Sequence, residues 1–385
     1  MRVLFVTPSL PWPLDQGARI RAAELIRALP HHVEVDLAWI ARPDEPEVPA
    51  ELRTRCRTTR RFERSRPSWL ERLAWPRAAR WFHSKELTAA LAAPLAGVDL
   101  VHLDEPALLP HWTQHARTAA CLQHHKLESV LADALADADA RRGRSATAGR
   151  LDAERWRRLE LDAMVRVPHQ LVCAAEDAAR LRKRFPDCDP VVVENGVDPR
   201  WFAPRDTPRD PDRLLFLGSL DYGPNQDGLR AFLRECWPAL REARPALRLA
   251  LVGRGSAPEL EASCAFDPRV EWIGHVDDVR PWLARCGALI VPLAIGGGTR
   301  IKLACALAMR TPVVTTAVGA EGLELQDGVH VRRAELGPQF TRATLAALDA
   351  GTDDPIADAG RERVLERYTW DRLATRLADA WKSFT

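Results

Sequence analysis

Short apolar runs recur along the chain, separated by amphipathic stretches. In the first half they fall at residues 3–6, 33–40, 98–103, 119–122, 171–175 and 191–193. In the second half they fall at 214–217, 247–252, 270–273, 289–293, 313–315 and 329–331. Continuous apolar strands alternating with amphipathic helices predict parallel sheets covered on both faces. Two such sets predict an α/β chain with two Rossmann-like, doubly wound domains. Between them, Asp198-Pro-Arg-Trp-Phe-Ala-Pro-Arg-Asp-Thr-Pro-Arg-Asp-Pro-Asp212 holds four prolines and no periodicity. It reads as a linker. The expected division is a first domain over 1–198, a linker over 199–212 and a second domain over 213–362. The stretch 368–381 reads as an amphipathic helix. No internal repeat is visible.

The strongest chemical signal lies in 288–316. A buried strand leads into Gly296, Gly297 and Gly298, then a helix, then a second buried strand. Three glycines leave no side chain between backbone and ligand, and their N–H groups can form an anion-binding nest. Thr299 suits the N-cap, which would add the helix dipole at the same place. Arg300 and Lys302 add two charges, and a diphosphate would be well held. The plainer alternative is a tight strand-to-helix turn with solvated cations.

The ordered motifs extend through the chain. Pro8-Ser-Leu-Pro-Trp-Pro-Leu-Asp-Gln-Gly17-Ala-Arg-Ile-Arg21 stands near the start. It is followed by Gln123-His-His-Lys-Leu-Glu-Ser129, Glu194-Asn-Gly-Val-Asp198, Gly218-Ser-Leu-Asp-Tyr-Gly-Pro-Asn225 and Val318-Gly-Ala-Glu-Gly-Leu323. With the glycine loop, this set resembles the retaining glycosyltransferases of family four, and within them a bacterial subgroup with a Gly-Gly-Gly-Thr-Arg-x-Lys loop.

The resemblance implies a GT-B fold, two Rossmann-like domains facing across a cleft, with a C-terminal helix over 363–385 crossing back onto the first. It implies transfer of a hexose-type sugar from a nucleotide-diphosphate-sugar to an acceptor hydroxyl, with no metal and no other cofactor. The charge left on the β-phosphate then needs cations and oriented N–H groups. Arg300, Lys302 and the 296–298 amides fit that role. Gly17, Gly218 and Ser219 would approach the donor diphosphate, and Thr299 the sugar. Ile273, Gly274, His275, Cys305 and Glu321 would line the nucleoside. His125 would face the donor sugar, where a neutral imidazole could bond a hydroxyl. A histidine packed at a strand end is the alternative, and His124 should then point the other way.

The chain also departs from the family pattern. Ser219 and Asn225 stand where cations are usual, and Arg300 and Lys302 would compensate. Two glutamates separated by seven residues fall here at Gly297 and Cys305. Cys305 either faces the nucleotide or is a small buried hydrophobe. Arg310 replaces a helix-ending glycine.

Two other patterns are set aside. Gly253-Arg-Gly255 lacks the third glycine of a dinucleotide fingerprint and reads as a strand-end turn. His111 and His115 have helical metal-ligand spacing but no third ligand, so a surface helix face is expected.

Composition changes the picture little. Of 385 residues 46% are hydrophobic, enough for two cores, and the net charge is only +2. Eight scattered cysteines suggest free thiols in a reducing cytoplasm. The first residues read as a strand rather than a signal peptide, and no apolar run is long enough to span a bilayer. The segment 53–85 is different, with eleven basic and two acidic residues, 11 − 2 = +9, interleaved with Trp69, Leu70, Leu73, Trp75, Trp81 and Phe82. It reads either as a peripheral membrane contact, helping to meet a lipid-linked acceptor, or as an arginine-rich face over core aromatics. No nucleic-acid motif accompanies it. Three functions remain open: polysaccharide or glycoconjugate assembly, a catalytically silent sugar-nucleotide binder, and modification of a small natural product or peptide.

Overall fold

The computed structural model describes residues 1–43, 45–113 and 118–385. Two compact units emerge, Met1–Glu194 with Trp370–Thr385, and Asn195–Thr369. The division precedes the expected boundary at 198. The segment 363–385, expected as one helix, is also divided. Pro355–Arg367 ends a helix in the second unit, and Trp370–Phe384 forms a separate helix in the first.

The first unit is built on seven parallel strands: β1 (Arg2–Thr7), β2 (Glu34–Ile40), β3 (Thr58–Phe62), β4 (Leu100–Leu103), β5 (Ala119–His124), β6 (His169–Val172) and β7 (Val191–Val192). Their order is β3-β2-β1-β4-β5-β6-β7. The central strands are apolar because helices cover both faces. The edge strand β3 escapes the apolar-run pattern because Thr58-Thr-Arg-Arg-Phe62 buries only Phe62. The helix Trp370–Phe384 buries Trp370, Leu373, Leu377 and Trp381, a three-to-four spacing that marks one face. That helix packs on the helix Gly17–Ala28, and Trp381 meets Phe5 of β1 edge-on at 6.1 Å.

The second unit has six parallel strands: β8 (Asp210–Leu217), β9 (Arg248–Val252), β10 (Val270–Gly274), β11 (Cys286–Val291), β12 (Val313–Thr315) and β13 (Arg332–Arg333). Their order is β10-β9-β8-β11-β12-β13. β8 begins inside the expected linker. β13 follows directly on the apolar run at 329–331, because buried Val331 supplies packing while Arg332 and Arg333 pair with β12. Arg332 is held there by two bonds to Asp354, at 2.6 and 3.0 Å.

In each unit the strand order reverses once, between β1 and β4 and between β8 and β11. Loops at the carboxyl ends of the strands beside such a reversal leave a crevice between them, the usual ligand position in open α/β sheets.

Candidate functional site

In the second unit, β8 ends at Leu217 and β11 at Val291, so Gly218 and the loop 292–300 emerge side by side. Lys302, in the first turn of the helix Ile301–Ala308, reaches back between them. Its Nζ lies 3.5 Å from Asn225 Oδ1 and 4.8 Å from the centre of the Phe216 ring. A Cβ on Gly218 would stand 2.9 Å from both Lys302 Nζ and Asn225 Nδ2, so both side-chain tips would have to shift. Among the described residues, no carboxylate pairs with Lys302. Burial, with Arg300 adding repulsion, pushes its ammonium down to about 7. The arrangement suits an anion, whose charge would restore the protonated form.

Arg300 is committed elsewhere. Its Nη1 donates to the carbonyls of Gly297 and Gly298, the latter at 2.9 Å, and its Nη2 donates to Val318 O at 3.4 Å. A side chain on Gly296 would collide with this guanidinium. Arg300 therefore folds the glycine loop onto itself, its Nη groups directed to loop carbonyls. The N-cap expected at Thr299 is corrected: that position is Arg300, without a side-chain cap, and Thr299 Oγ1 donates to Gly322 O at 3.5 Å. Asn195 Nδ2 donates to Thr299 O at 3.1 Å, bracing the loop from a second side. Gly298 alone of the three glycines has a positive φ, 68°.

The expected nucleoside residues separate. Glu321 immediately precedes Gly322, so it stands beside the glycine loop. Ile273 and Gly274 end β10, with the Gly274 carbonyl accepting from Gly253 N at 2.8 Å. His275 follows, exposed, 3.8 Å from Asp277. Cys305 is buried, at 6% exposure, within the apolar cluster that includes Leu303, Leu307 and Val313, as the small-hydrophobe alternative expects. Gly253, set aside as a turn residue, packs so tightly on Gly218 O that a Cβ could not fit.

The first unit puts different chemistry at its reversal. β4 ends in His102-Leu-Asp104, and His125 follows β5. Asp104 is buried between two imidazoles, with Oδ1 3.5 Å from His102 Nε2 and Oδ2 3.6 Å from His125 Nε2. His102 is wholly buried, stacked on Phe5 at 4.2 Å, and burial lowers its pKa. His125 keeps 14% of its side chain exposed. Burial opposes its charge, but the Asp104 carboxylate and the Cys173 thiol outweigh that and push it up to about 10. Burial likewise opposes the Asp104 charge, yet the His125 cation and both histidine contacts hold its pKa below the usual value. His125 is thus a cation at neutral pH, not the neutral imidazole expected. His124 points the other way, as strand alternation requires, with Nε2 2.8 Å from Gln170 Oε1.

Gly17 opens the helix Gly17–Ala28 behind Gln16, near the carboxyl end of β1. The Arg19–Asp15 pair, at 2.8 Å, orders that turn. Sequence reading missed Asp104. Its signal was a carboxylate at the carboxyl end of the apolar run 98–103. His111 is no surface residue: it is buried at the end of a 3₁₀ turn, Pro106–His111, bonded to Thr88 Oγ1 at 2.7 Å and to Phe82 O at 2.8 Å. His115 lies outside the described residues. Among the described residues, no group of three His, Cys, Asp or Glu could hold a metal ion.

Residues 211–350 match the family described as Glycosyl transferases group 1. No curated protein matches the chain by sequence. Several solved structures match over nearly its whole length. Sucrose-phosphate synthase from Thermosynechococcus elongatus has a TM-score of 0.74 at 20% identity, covering 99% of this chain and 98% of that one. HepE of Anabaena, solved with UDP and glucose, has a TM-score of 0.66 at 14% identity, covering 99% of each chain. A mutant of S. aureus TarM, solved with Fondaparinux, alpha-GlcNAc-glycerol and UDP, has a TM-score of 0.68 at 9% identity, again covering 99% of each. The fold is GT-B, with two parallel-sheet α/β units of Rossmann type.

Proposed function

We propose that this chain is a retaining, metal-independent glycosyltransferase of the family-four kind. It takes a nucleotide-diphosphate-sugar and moves the sugar to an acceptor hydroxyl on a lipid-linked or small molecule, in polysaccharide or glycoconjugate assembly in the cytoplasm. One observation carries the reading. Lys302 has no carboxylate partner among the described residues and lies beside Gly218 and the glycine loop, at the strand reversal of the unit that matches the group 1 family. The family's usual cations after the first strand of this domain are Ser219 and Asn225 here, and Lys302 Nζ lies against Asn225. We read this as one cation supplied from another element.

Each residue then has a task. Lys302 and the loop amides meet the diphosphate, and their interaction strengthens as the glycosidic C–O bond breaks and charge gathers on the β-phosphate oxygen. Arg300 does not touch that oxygen; it holds the loop amides in place. His125, as a cation held by Asp104, donates to a sugar hydroxyl or to phosphate. It is a positioning and electrostatic group rather than a base, because its proton stays on through neutral pH. In a retaining reaction the departing phosphate can take the acceptor proton on the same face, which asks for placement more than for a basic side chain.

The UDP held by HepE and TarM makes uridine the first base to try. A donor-hydrolysis and thermal-shift panel across nucleotide-sugars, run in EDTA, tests the reading. Stabilisation and slow hydrolysis with one donor are expected. Stabilisation without turnover, with every acceptor class tried, would favour a silent sugar-nucleotide binder. That second reading is motivated by buried Cys305 where the family places a glutamate. Strict dependence on added Mg²⁺ or Mn²⁺ would overturn the metal-free site.

A further inference from the structure

Only part of the segment 53–85 is an arginine-rich face over core aromatics: Trp75 and Phe82 pack against the apolar core of the first unit. The helix Trp69–Ala74 buries none of its residues. Trp69, Leu70 and Leu73 are 69%, 59% and 61% exposed, and Trp81, at the end of the helix Arg77–Trp81, is 53% exposed. Apolar side chains in such a cluster are costly in water and mark an interaction surface.

The exposure is built in rather than the result of a loose end. Ser68 and Glu71 close a capping box at the helix start. Arg155 Nε donates to Leu73 O at 2.9 Å, Asp152 accepts from Arg77 N at 3.0 Å, and Arg80 Nε donates to Trp75 O at 2.8 Å. The two helices are therefore fixed from behind while Trp69, Leu70, Leu73 and Trp81 stay exposed.

The charge around them selects the partner. Arg64 lies over the Trp81 ring at 3.6 Å. Among the described residues, no carboxylate lies within ion-pair distance of Arg64, Arg66 or Arg72. A second copy of this chain would set +9 against +9, so self-association is disfavoured. Tryptophan and leucine rimmed by arginine match the boundary of an anionic bilayer, where rings and alkyl groups enter the headgroup layer and guanidiniums meet phosphates. No helix among the described residues is long and apolar enough to cross a membrane, so the contact would be peripheral.

We propose that the face formed by Trp69, Leu70, Leu73 and Trp81, with Arg64, Arg66 and Arg72, docks this protein on an anionic phospholipid surface. The proposal does not depend on the sugar-transfer reading, and binding can be measured without activity. The full chain would be sedimented with phosphatidylcholine vesicles, and with vesicles of three parts phosphatidylcholine to one of phosphatidylglycerol, at low and high salt. Partition onto the anionic vesicles should exceed that onto neutral ones by at least about tenfold, and should weaken with salt. Changing Trp69, Leu70, Leu73 and Trp81 to Ala together should cut partition on the order of tenfold or more. Each of Arg64→Gln, Arg66→Gln and Arg72→Gln should cut it about fivefold and flatten the salt dependence. Unchanged circular dichroism would show that these surface variants fold. Absence of partition, equal binding to both vesicles, or binding unaffected by the fourfold Ala variant would overturn the proposal. So would concentration-dependent dimerisation in light scattering that disappears in that variant.

Discussion

The two strand reversals share a topology and differ in chemistry. Between β8 and β11 stand glycines, loop amides and the Lys302 amine, with no carboxylate paired to it among the described residues. Between β1 and β4, and after β5, stands Asp104 with an imidazole on either side. The second-unit centre does not balance its own charge, because burial and repulsion from Arg300 drive Lys302 toward neutrality. The first-unit centre balances its charge internally, because His125 and Asp104 favour each other's charged forms across 3.6 Å, but His102 Nε2, Asp104 Oδ1 and His125 Nε2 make no hydrogen bond. The lesson is that a shared topology fixes where a ligand meets the sheet, while local charge balance decides what it meets. We propose that one centre takes an anion and that the other is a fixed donor.

The largest effect should come from breaking the balanced centre. Asp104→Asn leaves the His125 cation buried without its counter-ion and should cost about 3–5 kcal/mol of stability at neutral pH. The pH dependence has a definite sign. The folded pKa of His125 is raised from 6.5 to about 10, so its contribution is complete below 6.5 and lost as pH rises towards 10. Denaturant unfolding across that window should show wild-type stability falling and a flatter profile in the variant. A change under about 1 kcal/mol would mean that His125 is not held as a cation.

Breaking the unbalanced centre should hurt function more than folding. Lys302→Met should lower turnover on the order of 100- to 1,000-fold, the scale of a lost oxyanion donor. It should leave stability equal or higher, since a buried charge is removed. Comparable kinetics in wild type and variant would remove Lys302 from the chemistry.

Gly218→Ala sharpens the comparison geometrically. The methyl would crowd Lys302 Nζ and Asn225. It should cost about 1–3 kcal/mol and weaken donor binding, because the ammonium must move. Full donor affinity in this variant, measured by calorimetry, would show that Lys302 has room to spare.

The smallest effect concerns the end of the Lys302 helix. Arg310 follows it with φ 58°, the left-handed conformation that a glycine adopts at little cost. Arg310→Gly should gain up to about 1 kcal/mol, less whatever the exposed Asp358 contact provides. Thermal unfolding reads this directly, and a destabilised variant would show that the ion pair outweighs the strain.

How much was legible in the sequence differs between the centres. The glycine loop and Lys302 were visible because their chemistry is contiguous in the chain. The division of labour between Arg300 and Lys302 was not, because both are cations two residues apart. Only the fold of the loop turns one toward carbonyls and leaves the other against Asn225. The strands were legible wherever packing demands apolar residues, so β1 and β11 stood out while β3 did not, an edge strand needing only Phe62 inside. Asp104 was hidden because its partners come from two strands, and a buried carboxylate announces itself only when something cationic is seen beside it. Cys305 shows the limit of borrowing a motif's register: its position matched, but the helix turns its side chain into the core.

The most direct test is calorimetric titration of nucleoside diphosphates (uridine, guanosine, thymidine and adenosine) in EDTA, with wild type and Lys302→Met. The tightest binder for wild type would be followed from pH 7 to pH 9. Free Lys302 must take up a proton above about 7 to meet the diphosphate. Wild-type affinity should therefore fall with rising pH, by up to about tenfold per unit, accompanied by proton uptake. Lys302→Met should bind at least about tenfold more weakly and show a flat profile. Equal affinities in the two proteins, with no proton uptake in either, would contradict a diphosphate site built on Lys302.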